Sequence, residues 1–123
     1  MKELIAQGKA YPCWMTSEEL DSIREQQMKT KIAPGIYGNY SVWRNKSPEE
    51  ILEKIAESHP PVIRLRSHAN VQEKILFDDI LRGKIHMTDN YNDIVVLKSD
   101  GLPTYHLAHL VDDYLMGTTH VIR

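Results

Sequence analysis

The sequence predicts an α+β fold: mixed helices and a mostly antiparallel sheet, ending in a helix-strand unit. Three observations carry this. Two helix starts with side-chain caps stand in the first half, at Thr16 and Ser47. Apolar runs of strand length follow at 62–66, 74–87 and 93–98. Residues 101–123 then read as loop, helix, turn and strand, so an insertion-like α+β unit ends by entering an α/β sheet.

Taken in order, residues 2–7 read as the tail of a helix broken by Gly8, with Lys9 near the negative end of its dipole. Tyr11-Pro-Cys-Trp-Met15 is extended, because a residue before proline avoids the helical region. Thr16 followed by Glu19 opens a helix whose face continues through Leu20, Ile23 and Gln27 and stops before Ala33-Pro34-Gly35. Residues 36–45 carry aromatics and glycine without a period, a loop with packed side chains. Ser47, Pro48 and Glu50 supply an N-cap, a first-turn proline and a third-position glutamate, with Ile51, Leu52 and Ile55 on one face of the helix they start.

Val62-Ile-Arg-Leu-Arg66 alternates apolar and basic residues with period two, as a half-exposed strand does. Residues 74–87 hold two apolar runs around Arg82-Gly83, which predicts paired antiparallel strands. Residues 93–98 read as a strand covered on both faces. Beyond the Asp100-Gly101 turn, Pro103 starts a helix ending near Leu115, with Gly117 as its permissive stop. Leu107, Leu110, Val111 and Tyr114 form its packing stripe, while Tyr105, His109 and Asp112 share another face. Thr119–Arg123 is then a buried strand, with Arg123 at the carboxyl end where open α/β sheets place ligand-binding residues.

Composition narrows the function classes. The 123 residues, 41% hydrophobic and 26% charged, suit one soluble domain, and no run approaches the ~18 apolar residues of a membrane span. The first residues lack a secretory pattern, which predicts a cytoplasmic protein. One cysteine, Cys13, excludes an internal disulfide and a multi-thiol metal site. A net charge of −2 argues against a generic nucleic-acid binder, so any RNA contact has to be local.

The run PTYHLAHLVDDYLMGTTHVIR at 103–123 resembles the start of the second catalytic half of glutamyl-tRNA synthetases, class I enzymes that attach glutamate to tRNA. GKAYPCW, TSEELDSIREQQ, YGNYSVWRNKSPEE, VIRLR, ILFDDILRGKI and SDGLPTYH resemble the connecting insertion of the same enzymes. The resemblance implies two parts: residues 1–103 as the insertion that binds the tRNA acceptor end, and 104–123 as the truncated start of the second half of a Rossmann-like catalytic domain. Partners implied are tRNA, glutamate and the remainder of the synthetase chain, with ATP and Mg as substrates of the full-length enzyme.

Within that resemblance, Arg123 holds the side-chain carboxylate of glutamate and Tyr105 closes the pocket, chemistry suited to a forked, permanently charged guanidinium. His109 stands where many relatives carry asparagine; it is either a donor to the bound amino acid or a polar helical residue. Arg64 and Arg66 on one strand face, Arg82 and Lys84 at the hairpin turn, and Arg44 are candidates for RNA phosphates. Tyr37, Tyr40 and Trp43 either stack on an unpaired base or pack inside.

Some relatives hold a structural zinc through a Cys-x-Cys pair where this chain has Cys13-Trp14-Met15. With the other ligands replaced, no zinc is expected, and Met15, Tyr40 and Trp43 are expected to fill the space. Asp112 and Asp113 point about 100° apart on a helix and suit no shared magnesium ion. The family's His-x-Gly-His motif and its Lys-rich loop, which handle ATP, are both absent, so the chain reads as an enzyme fragment inactive by itself. A stand-alone tRNA-binding module, a fragment of glutaminyl-tRNA synthetase and the synthetase-like enzyme that glutamylates a tRNA base are the alternatives.

Overall fold

A strand satisfies its backbone only through its neighbours, so strand order decides which run is buried. The computed structural model describes residues 1–70 and 72–122. Its elements are α1 (Lys2–Ala6), β1 (Ala10–Cys13), α2 (Ser17–Lys29), a 3₁₀ turn (Gly38–Tyr40), α3 (Pro48–Glu57), β2 (Val62–Leu65), β3 (Lys74–Asp79), β4 (Gly83–Thr88), β5 (Val95–Leu97) and α4 (Tyr105–Met116). One sheet has the order β1-β2-β5 and a second consists of β3-β4, with every strand pair antiparallel.

The helix starts follow from their caps. Thr16 Oγ1 accepts from the Glu19 N–H at 3.3 Å while Glu19 Oε2 accepts from the Thr16 N–H at 2.8 Å. Ser47 and Glu50 repeat this reciprocal box at 3.2 and 2.9 Å, and Pro48 supplies the preset first turn. Each cap is worth ~1 kcal/mol. At the other end of the chain Gly117, with φ 67°, takes the left-handed conformation that terminates α4.

β2 is central, and this corrects the expectation of a half-exposed strand. Both its edges are paired, with β1 through Ala10↔Leu65 to Cys13↔Val62 and with β5 through Ile63↔Leu97. Alternation survives, but between two covered faces. Ala10, Ile63 and Leu65 belong to an aliphatic core completed by Leu4, Val96, Leu97 and Leu107. Tyr11 and Arg64, directly paired, lie on the other face, and both are buried. β5 is shorter than expected and lies at the sheet edge; Val96 is its buried residue, and Val95 and Leu97 are half-buried.

Gln27 shows how α2 is tied to the loop after it. Its side chain is fully buried; Nε2 donates to the Gly35 carbonyl at 2.7 Å and Oε1 accepts from the Gly35 N–H at 3.0 Å. The amide thus pairs with a peptide unit as a neighbouring strand does, satisfying both main-chain groups of the half-buried Gly35. Gly35 has φ 148°, and a Cβ there meets Asn92 Oδ1 at 1.6 Å. Only glycine fits between those two loops.

Two expectations for the last stretch fail. Of the predicted packing stripe on α4, Leu107 reaches the core, whereas Leu110, Val111 and Tyr114 are exposed. Residues 118–122 form no strand, and Ile122 is 97% exposed. The physical reason is common to both: among the described residues no further strand or helix lies against this segment to cover or pair it. Thr104, the residue before α4, ties the helix to β5, its Oγ1 donating to the Val95 carbonyl and its N–H to the Val96 carbonyl, both at 2.9 Å.

Candidate functional site

A carboxylate withdrawn from water needs donors on every lone pair, and Asp93 has them. It is 1% exposed. Its Oδ2 accepts from Tyr11 Oη and Ser41 Oγ, each at 2.8 Å; its Oδ1 accepts from the Ser67 N–H at 2.8 Å and from Arg44 Nη1 at 3.1 Å. Arg64 Nη1 donates to the Asp93 carbonyl at 2.7 Å. Three segments distant in sequence, at 11, 41–44 and 64–67, thus meet at one residue. Burial and the bond to Asp93 push the Tyr11 hydroxyl well above its ordinary value, so it stays a donor at any working pH.

Arg44 extends this centre. Its Nη2 donates to the Ser67 carbonyl at 2.6 Å, and its own carbonyl accepts from Arg66 Nη2. Arg66 also donates to Asn45 Oδ1 at 3.2 Å, and its guanidinium lies 5.8 Å from the centroid of the Tyr11 ring, within cation-π range. Among the described residues no carboxylate pairs with Arg66.

Beside this network the aliphatic face of the sheet opens into a groove of about 850 Å³ against α3. Ala10, Ile63, Ile51 and Ile55 line its apolar part; Arg44, Lys46 and Arg66 line it too, and among the described residues no carboxylate does. Lys46 Nζ reaches Glu50 at 2.6 Å, and that bond with the Ser47 N–H holds the Glu50 carboxyl below the usual carboxylate range.

The predicted basic residues therefore separate into two groups. Arg44 and Arg64 point inward, and Arg64, 8% exposed, corrects the expectation of a solvated strand face. Arg82 and Lys84 are exposed at the hairpin, where Asp79 Oδ1 shapes the turn by accepting from the Leu81 and Arg82 N–H groups at 2.9 and 2.7 Å. Asp78 stands directly opposite Lys84 in the register. Arg66 lies between these groups, half-buried and bonded to neutral acceptors.

On α4 the predicted pair is brought together. The Tyr105 and His109 rings stack with centroids 4.9 Å apart at 29°, and His109 Nδ1 lies 3.5 Å from Asp113 Oδ2. Tyr105 is 68% exposed, an aromatic face turned to solvent. Arg123 lies outside the described residues. At the position the sequence compares with a Cys-x-Cys pair, Cys13 is buried and Trp14 packs on Trp43 at 4.9 Å, with Trp14 Nε1 donating to the His59 carbonyl at 2.8 Å. Among the described residues no group of three or more His, Cys, Asp or Glu is gathered to hold a metal ion. Tyr37 packs edge-on to Tyr40 and Tyr91, at 6.0 and 5.1 Å. No helix among the described residues is long and apolar enough to cross a membrane.

Sequence reasoning missed Asp93, Tyr11, Ser41 and Ser67. The partners of Asp93 lie 26 to 82 residues away, and no local spacing encodes them.

Comparison with known proteins agrees over the whole chain. The family model for class I tRNA synthetases (E and Q), catalytic domain, matches residues 1–123. The glutamate–tRNA ligase of Clostridium perfringens strain 13 is 46% identical over 123 residues, 100% of this chain and 22% of that protein. The glutamate–tRNA ligase of Clostridium beijerinckii is 47% identical over 122 residues, 99% of this chain and 22% of that protein. A crystal structure of a glutamate tRNA ligase from Elizabethkingia meningosepticum in complex with its amino acid superimposes with a TM-score of 0.80 at 33% identity, covering 99% of this chain and 25% of that one. The chain thus spans about a fifth to a quarter of the length of the relatives it matches.

Proposed function

Because the chain belongs to the class I tRNA synthetases (E and Q), we propose that it is part of a glutamate–tRNA ligase, an enzyme that activates glutamate with ATP and transfers it to the 3′ end of tRNA. The observation that carries this reading is the 46% identity to a glutamate–tRNA ligase over every residue of the chain. The named relatives act on glutamate by their printed names, which favours glutamate over glutamine.

In this reading residues 1–103 are the connective insertion and bind the acceptor end, and 104–123 begin the second half of the catalytic fold. Arg66, Arg82 and Lys84 contact phosphates, because they are the predicted cations not buried around Asp93. Of the cations lining the groove, Arg44 is paired with Asp93 and Lys46 with Glu50, so Arg66, with no carboxylate partner among the described residues, supplies its attraction for an anionic strand. Tyr105 and His109 form one wall of the glutamate pocket, with Arg123 as the clamp for the substrate carboxylate. Buried Cys13 and the packed Trp14–Trp43 pair favour a zinc-free insertion. ATP, Mg and the remaining catalytic residues belong to the rest of the synthetase, which acts in the cytoplasm.

The test is binding of an acceptor-stem hairpin RNA to the 123-residue chain, followed by fluorescence anisotropy as salt is varied. Salt-sensitive binding is expected, weakened by Arg82→Ala with Lys84→Ala, whose loss lowers the slope of log affinity against log salt by roughly 0.7–0.9 per phosphate neutralised. Absence of binding at low salt overturns the acceptor-end assignment. A second expected outcome is no glutamate-dependent pyrophosphate exchange by this chain, since it lacks both ATP-handling motifs. Measurable exchange would refute that account.

A further inference from the structure

We propose that Asp93 is a positioning residue for RNA binding: by holding Arg44 it fixes the place of Arg66 at the groove, without touching RNA itself. The inference rests on the acceptor-end reading above. Its ground is a closed ring of interactions. Asp93 accepts from Arg44 Nη1 at 3.1 Å; the Arg44 carbonyl accepts from Arg66; the Arg66 guanidinium lies 5.8 Å from the centre of the Tyr11 ring; and Tyr11 Oη donates back to Asp93 at 2.8 Å.

Each link has a defined job. The Arg44 fork spans the Asp93 carboxylate and the Ser67 carbonyl, which tethers the segment carrying the Arg44 carbonyl to both. Arg66 then has its guanidinium located from two sides, by the Arg44 carbonyl with Asn45 Oδ1 and by the aromatic ring beneath it. Its positive charge meets no carboxylate among the described residues. A long side chain held in place loses less rotamer entropy when it meets a phosphate than a free one does. Asp93 itself, with its side chain 0% exposed, cannot reach a ligand.

The experiment measures acceptor-stem hairpin affinity across salt for the unsubstituted 123-residue chain, Asp93→Asn, Arg66→Ala and the double variant. Asp93→Asn keeps the side chain's shape but turns one acceptor oxygen into a donor, facing groups that already donate. About a tenfold loss of affinity is expected, with a salt slope smaller by roughly 0.7–0.9, as follows when one phosphate fewer is neutralised. Partial unfolding lowers the binding-competent fraction and leaves the slope of the folded remainder unchanged, so the slope separates positioning from mere destabilisation. In the Arg66→Ala background, Asp93→Asn is expected to change the slope no further.

Should Asp93→Asn fail to fold, Arg44→Lys preserves the charge beside Asp93 but lacks the fork to Ser67, and the same slope loss is expected. An unchanged slope in whichever of these variants folds, or losses that add to Arg66→Ala, overturns the proposal while the acceptor-end reading stands. No binding by the unsubstituted chain overturns that reading, and this inference with it.

Discussion

The two sheets of this chain are built from the same pairing rule and come to opposite ends. The β1-β2-β5 sheet is covered on both faces, one by aliphatic side chains and one by the polar centre at Asp93. The β3-β4 hairpin makes an unbroken ladder from Lys74↔Thr88 to Asp79↔Gly83, yet Ile75, Phe77 and Met87 on one of its faces remain half-exposed. Main-chain hydrogen bonds are therefore not what separates the regions. The difference is side-chain cover, and a two-stranded ribbon without it contributes little stability of its own.

Unfolding measurements sharpen that contrast. The largest effect is expected for Asp93→Ala, which strands Tyr11, Ser41, Arg44 and the Ser67 N–H without their acceptor; it should cost about 3–5 kcal/mol in denaturant unfolding. Ile63→Ala removes the middle of the aliphatic face and should cost about 2–4 kcal/mol. Gln27→Ala, leaving both main-chain groups of Gly35 unpaired, is expected near ~2 kcal/mol by the same method. Phe77→Ser, in the hairpin, should lie within ~1 kcal/mol of the unsubstituted chain. A hairpin substitution as costly as the one at Asp93 would erase the distinction.

Titration supplies an independent check. The folded chain holds the Tyr11 proton above the ordinary value of 10.0, so its contribution is complete below pH 10 and is lost as pH rises beyond it. One proton of difference gives a fall of about 1.4 kcal/mol per pH unit in that range. Tyr11→Phe should flatten this alkaline decline; a decline of equal steepness would place it elsewhere.

Legibility in the sequence followed the range of the interaction. The capping boxes at Thr16 and Ser47, the Gly117 stop and the hairpin turn are each made by residues a few positions apart, and each stands where the sequence puts it. The reading of Arg64 failed because period-two alternation distinguishes two faces without saying whether the second one is wet. Asp93 was hidden for a related reason: next to Asn90 and Asn92 it looks like turn composition, and its burial depends on donors from three other segments. At the candidate amino-acid end, the helical spacing of Tyr105 and His109 was enough to put them on one face, and the stacking of their rings came from the structure. The exposed remainder of α4 could not be foreseen from the apolar stripe, since a stripe records a face that can pack and not the partner it packs on.

Thr104 carries a mechanical consequence. Its N–H and hydroxyl both grip β5, one residue ahead of Tyr105, so there is no slack link between the sheet edge and the helix that bears the stacked rings. A hinge needs a residue whose torsions can turn without breaking bonds, and here the bonds stand at the pivot itself. The start of α4 is thus pinned directly to the sheet edge, one residue ahead of the stacked rings.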